Sequence, residues 1–155
     1  SVVASMLLCE MAAYYKTKGM TLCDALAALY ETYGYYNEGA SNIYMEGLDG
    51  LEKMARLMDR LRNNPPSELA GYRVVERRDY LKDIVLDIDT GKVTSTGLPT
   101  SNVLYFKTEA DDVIVIRPSG TEPKIKTYIL AHGKDLDDAN TKIAAYAKVT
   151  ETWTE

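Results

Sequence analysis

Apolar residues recur at helical spacing in four stretches of the chain, and much of the rest alternates apolar with polar. Over 2–16, Val2, Val3, Met6, Leu7, Met11 and Tyr14 form one band, with Leu8, Ala12 and Tyr15 beside it. A helix apolar nearly all round expects burial on several sides. Gly19 ends it, and Thr21 to Asp24 resembles a capping box with Asp in place of Glu. Leu22, Leu26, Leu29, Tyr30 and Tyr33 then follow at helical spacing until Gly34. Leu51, Met54, Leu57, Met58 and Leu61 make a third stripe, introduced by Asp49 as a cap and stopped by Pro65 and Pro66. The fourth helix is capped at Asp135 and carries Leu136, Ile143, Ala144 and Ala147. The tail after Val149, with Trp153, reads as frayed or foreign.

Between these helices the pattern predicts strands over 35–46, 72–80, 84–88, 102–107, 112–117 and 126–132. From residue 35 the order is strand, helix, several strands, helix, with short connections. That predicts an α+β domain, an antiparallel sheet with two helices on one face, preceded by a helical hairpin over 1–34. The hairpin has no sheet of its own to cover its apolar surface, so residues 2–33 are expected to remain exposed, displaced or self-associated.

Composition narrows the function classes. A length of 155 residues allows one domain and a piece of another. The net charge of −5 argues against general binding to nucleic acid or anionic membrane. No apolar run is long enough to span a bilayer. Cys9 and Cys23 lie in helical apolar patterns and read as reduced core residues of a cytosolic protein. The chain opens directly inside a helical pattern, without initiator methionine or basic leader, and reads as a fragment of a longer protein.

The chemistry concentrates in Arg117-Pro118-Ser119-Gly120-Thr121-Glu122-Pro123-Lys124 and nearby Lys126, between two alternating apolar runs. Arg117 offers a planar fork of donors suited to phosphate or carboxylate. Ser119 and Thr121 add hydroxyls, Gly120 permits positive φ and close approach, and consecutive N–H groups of such a turn cradle an anion. By residue type alone the stretch is either that cradle or a tight turn with a surface arginine. Arg73, Arg77 and Arg78 either extend a positive patch or are solvated edge charges. Asp87 to Lys92 begins like an EF-hand loop, but Gly91 occupies the fifth place and Leu98 the twelfth, which leaves a turn with left-handed Gly91. His132, the sole histidine, reads as a surface or structural residue.

RPSGTEPK resembles the phosphate-binding loop of the α-D-phosphohexomutase superfamily. ASMLLCEMAAYYK from Ala4 resembles the helix near the end of that family's third domain. GLPTSNVLY from Gly97 resembles the segment leading into the loop's hairpin. The resemblance implies that 1–34 is the helical end of the third domain and 35–155 the C-terminal fourth domain, like the TATA-binding-protein fold. It implies that Arg117, Ser119, Gly120, Thr121 and, more weakly, Lys124 and Lys126 hold the substrate phosphate that is not being transferred. The parent would be a cytoplasmic enzyme interconverting hexose 1-phosphate and hexose 6-phosphate through a sugar bisphosphate. The phosphoserine, the Mg²⁺ motif and the sugar loop belong to the upstream domains, so neither catalytic residue nor metal ligand is expected here. The sugar itself stays open, although Lys124 to Tyr128 resembles glucose and mannose mutases more than glucosamine mutases. A non-catalytic module binding a phosphorylated ligand through a similar loop is the other reading.

Overall fold

The computed structural model describes residues 1–45 and 47–154, without the Thr154 side chain, so Glu46, at the end of the expected first strand, and Glu155 lie outside the described residues. The chain divides into two compact units, residues 1–35 and the remainder.

The first unit is two helices, α1 (Val2–Thr17) and α2 (Leu22–Tyr33). Gly19 adopts φ +71 beyond the end of α1. Thr21 and Asp24 make the reciprocal capping box: the Asp24 N–H donates to the Thr21 hydroxyl and the Thr21 N–H to the Asp24 carboxylate at 2.7 Å. Hydrogen bonds from Thr21 hold the Asp24 carboxyl below its ordinary pKa. A depressed pKa contributes stability above the unfolded-state value, which is lost as pH falls through the folded one. Acidification below about pH 4 should therefore fray the first turn of α2, read by NMR at residues 21–25. An N-terminus as ordered at pH 2 as at pH 6 would contradict this.

The apolar surface of this unit lies open, as expected for residues 2–33, and one reading is corrected. No residue of α1 is buried, although its composition suits burial on several sides. Val2, Val3, Met6 and Leu7 are all more than half exposed. Cys9 and Cys23 are exposed rather than core residues.

The second unit is one sheet with two helices. Its strands are β1 (Tyr35–Tyr44), β2 (Glu68–Leu69), β3 (Tyr72–Asp79), β4 (Ile84–Asp87), β5 (Val93–Thr94), β6 (Leu104–Thr108), β7 (Val113–Pro118) and β8 (Lys124–Gly133). The helices are α3 (Gly50–Asn63) and α4 (Leu136–Glu151). The strand order is β1-β8-β7-β6-β3-β4-β5, with β2 beside β3. The pairings from β8 through to β5 are antiparallel. Tyr36 packs its ring on His132, at the end of β8, and the Met45 N–H donates to the Pro123 carbonyl just before its start, so β1 also runs against β8.

Period-two alternation decides which face is covered. Leu104 and Phe106, Ile114 and Ile116, and Ile125, Thr127, Ile129 and Ala131 are buried, while the residues between them are not. Met54, Leu57, Met58 and Leu61 of α3 and Tyr146 of α4 join the large apolar strand residues in a single core. Both helices thus lie on one face, and Tyr105, Val115, Arg117, Lys126 and Tyr128 project from the other.

Two helical stripes are shifted from expectation. Leu51 is 71% exposed, and the buried position one residue before it is Gly50. Asp49 precedes α3 without a side-chain cap bond and pairs with Lys53 instead, at 2.9 Å. On α4, Ala144 and Leu136 are exposed, and Ala139, Tyr146 and Thr150 are buried. The tail is neither frayed nor apart: a 3₁₀ turn (Thr152–Thr154) carries Trp153 against the core, and Arg60 donates to its carbonyl.

One buried polar cluster ties strands to helix. Asp112, fully buried, accepts from the Tyr146 hydroxyl and from the His132 N–H, both at 2.8 Å. Lys142 lies 3.4 Å from the same carboxylate and donates to the His132 carbonyl at 2.6 Å. Burial, with Asp112 beside it, pushes the Tyr146 phenol far above its ordinary pKa.

Candidate functional site

The expected cradle is the turn between β7 and β8. Arg117 pairs with Lys126 and Pro118 with Ile125 across the two strands. The turn closes on itself: the Ser119 N–H donates to the Lys124 carbonyl and the Lys124 N–H to the Glu122 carbonyl, each at 2.8 Å. Behind it, the Met45 N–H donates to the Pro123 carbonyl at 2.8 Å. A Cβ on Gly50, the first residue of α3, would collide with the Met45 carbonyl and press on Pro123. The helix start therefore packs directly under the turn, and glycine is what fits there.

Within this frame the N–H groups of Gly120, Thr121 and Glu122 have no acceptor among the described residues, and neither do the hydroxyls of Ser119 and Thr121. A row of free donors at an exposed turn is the arrangement that receives an oxyanion. One expectation is corrected. Gly120 does not adopt positive φ, and a Cβ there would meet nothing in the chain. Neither backbone conformation nor internal packing calls for glycine at 120, which leaves only approach from outside.

The charges of the turn sort themselves. Glu122, its sole carboxylate, is held by Lys124 at 2.6 Å. Lys124 is only 12% exposed, with its ammonium 5.3 Å from the centre of the Tyr44 ring. The Lys124 contact keeps the Glu122 carboxyl below its ordinary pKa, and the same contact raises that of Lys124. Arg117 and Lys126 make no direct ion pair among the described residues, although Lys126 is near enough to help lower the Glu122 pKa. Arg117 instead donates from Nη2 to the Tyr128 hydroxyl at 3.2 Å, its guanidinium 5.7 Å from the ring centre. That bond lowers the Tyr128 phenol pKa. Sequence reasoning did not give Tyr128 a role at the site, though its place two residues beyond Lys126 puts it on the same face of β8.

The other candidates lie elsewhere. His132 stands at the far end of β8, eight residues from Lys124 or roughly 26 Å along the strand, and its backbone serves the Asp112 cluster. Arg73, Arg77 and Arg78 are on β3, which is not an edge strand but sits between β6 and β4. Arg73 pairs with Asp89 and Glu109, and Arg78 pairs with Glu76 at 2.7 Å over the Tyr105 ring. Arg77 lines a cavity of about 270 Å³ with Leu61, Leu86 and Phe106. None of the three joins Arg117. In the turn after β4, Asp87 accepts from the Thr90 N–H at 2.9 Å and Gly91 has φ +67, a turn geometry rather than an ion cage. Among the described residues no group of three or more metal-ligating side chains converges.

No family model matches the chain. Phosphoglucomutases from two strains of Staphylococcus aureus are each 37% identical to it over 139 residues, or 90% of the chain, and that of a third strain is 35% identical over the same length. Over nine-tenths of its length the chain is thus similar to one part of phosphoglucomutases. It spans about a quarter of the length of these relatives (25%). The crystal structure of pp63/parafusin, a phosphoglucomutase from Paramecium in an open form, aligns over 90% of the chain and 24% of its own, with a TM-score of 0.50 and 15% identity. At that identity the likeness shows a shared fold. The α+β architecture, antiparallel sheet with helices on one face, is thus one found within a phosphoglucomutase.

Proposed function

We propose that the chain is the C-terminal portion of a phosphohexomutase, with 1–34 the end of its third domain and 35–155 its phosphate-binding fourth domain. The observation that carries this reading is the sorting of charge at the turn: Lys124 pairs with Glu122, while Arg117 and Lys126 face each other across β7 and β8 with no carboxylate in direct contact among the described residues. Like charges directly opposite in a sheet destabilise it, and an anion between them relieves the cost. Arg117, Ser119, Gly120, Thr121 and Lys126 hold the phosphate that is not being transferred, and Lys124 shapes the loop by fixing Glu122.

In a mutase that passes through a bisphosphate, the sugar must turn end for end between two phosphoryl transfers. A cradle of N–H groups, hydroxyls and a guanidinium recognises phosphate irrespective of the ring attached, so it accepts either end. The parent acts on hexose 1-phosphate and hexose 6-phosphate, glucose or mannose, in the cytoplasm. The Mg²⁺ ligands and the phosphoserine of the parent belong to its upstream domains, and among the described residues no metal-ligating group of three converges. The 155-residue chain alone binds phosphate without turning over sugar.

Titration of the chain with inorganic phosphate, followed by ¹H–¹⁵N NMR, tests this. Shifts should concentrate at the amides of Gly120, Thr121 and Glu122 and at Arg117 Nε, saturating weakly because exposed charge contacts contribute about 1 kcal/mol or less each. Phosphate shifts spread over the surface, or absent from the turn, would leave 117–122 as an ordinary hairpin connection.

A further inference from the structure

Resting on the reading of 117–122 as a phosphate cradle, we propose that Tyr128 is a positioning residue, which holds the Arg117 guanidinium on the open face of the sheet where Lys126 meets the same anion. Three observations carry it. Arg117 and Lys126 are directly opposite, and Tyr128, two residues further along β8, is the diagonal neighbour of Arg117 on that face, within reach of a long side chain. The Arg117 Nη2 donates to the Tyr128 hydroxyl at 3.2 Å, with the ring below the guanidinium. No other contact orients Arg117, which is otherwise exposed, among the described residues.

The physical argument concerns preorganisation. A solvent-exposed arginine loses rotamer freedom when it binds, and that loss weakens binding. A side chain already pinned by a hydrogen bond and a ring face has lost part of it beforehand. The phenol oxygen accepts from Arg117 and so fixes one arm of the guanidinium fork. Lys126, a compact charge without a fork, supplies attraction from the adjacent strand and no direction.

The test is the phosphate affinity of the 155-residue chain and of Arg117→Ala, Tyr128→Phe, Tyr128→Leu and the double variant Arg117→Ala/Tyr128→Leu, each first checked for an unchanged thermal midpoint. Tyr128→Phe should weaken phosphate about three-fold and Tyr128→Leu about ten-fold, the span of one hydrogen bond. The double variant should bind no more weakly than Arg117→Ala, because Tyr128 acts through the arginine. Tyrosine ¹³Cζ NMR supplies a readout that a packing role would not move: the Tyr128 phenol should titrate at higher pH in Arg117→Ala. If Arg117→Ala weakens phosphate while both Tyr128 variants bind as the parent chain does, the positioning role is wrong and the cradle stands. Additive losses in the double variant would equally reject it. If Arg117→Ala itself leaves the affinity unchanged, the cradle fails and this inference fails with it.

Discussion

Asp112→Ala should destabilise the sheet unit by about 3–5 kcal/mol, the range for removing one partner of a buried charged pair. The Tyr146 hydroxyl and the His132 N–H lose their acceptor together, and the Lys142 ammonium loses its carboxylate. Asp112 is fully buried, so water does not replace it without opening the structure. The damage reaches three elements, since Asp112 leads into β7, His132 ends β8 and Tyr146 lies on α4. Asp112→Asn keeps an acceptor oxygen and should cost less. Urea denaturation followed by Trp153 fluorescence measures both. A loss below about 1 kcal/mol for Asp112→Ala, the worth of one ordinary hydrogen bond, would mean that the core packing, and not this cluster, joins α4 to the sheet.

On the proposed reading, Arg117→Ala in the full-length enzyme should lower kcat/KM by about 10²-fold, the loss that follows when a contact to the non-reacting end of a substrate no longer positions the reacting end. In the enclosed site that the whole enzyme forms, the contact is worth more than on the exposed chain, because attraction strengthens when water is excluded. Arg117→Lys preserves charge and loses the bidentate fork, so it should remain impaired. Both losses should appear with either sugar phosphate as substrate, since each end of the intermediate visits the same cradle. Activity of Arg117→Ala close to that of the parent enzyme, in both directions, would take the loop out of the mechanism.

Much of this was legible along the chain because burial here is one-sided. The alternation in β6, β7 and β8 marks core-facing and open-facing residues one by one, and it locates the turn between β7 and β8 to within two residues at either end. The donor set of the turn was legible because Arg117, Ser119 and Thr121 carry their donors in their residue type. Elsewhere size misled. Leu51 is large and apolar, yet the face of α3 that meets the core runs through positions 50, 54, 57, 58 and 61, and the first of these lies too close to the Met45 carbonyl for any side chain. Charge misled in β3, where arginines suggest an edge; an interior strand tolerates Arg78 because the open face leaves room for Glu76 and Tyr105 to receive it. The pairing of Arg117 with Tyr128 depends on register across two strands, which no local pattern encodes. β2 and β5, two residues each, are too short to carry a period at all.

The division into two units has a spectroscopic side. Both cysteines, Cys9 and Cys23, lie in the helical unit and are exposed, while the single tryptophan, Trp153, packs on the core of the sheet unit. A thiol-reactive dye therefore labels only the first unit of the natural sequence, and indole emission reports only the second. Recorded on one sample, the two colours separate melting of the helices from melting of the sheet without a single substitution.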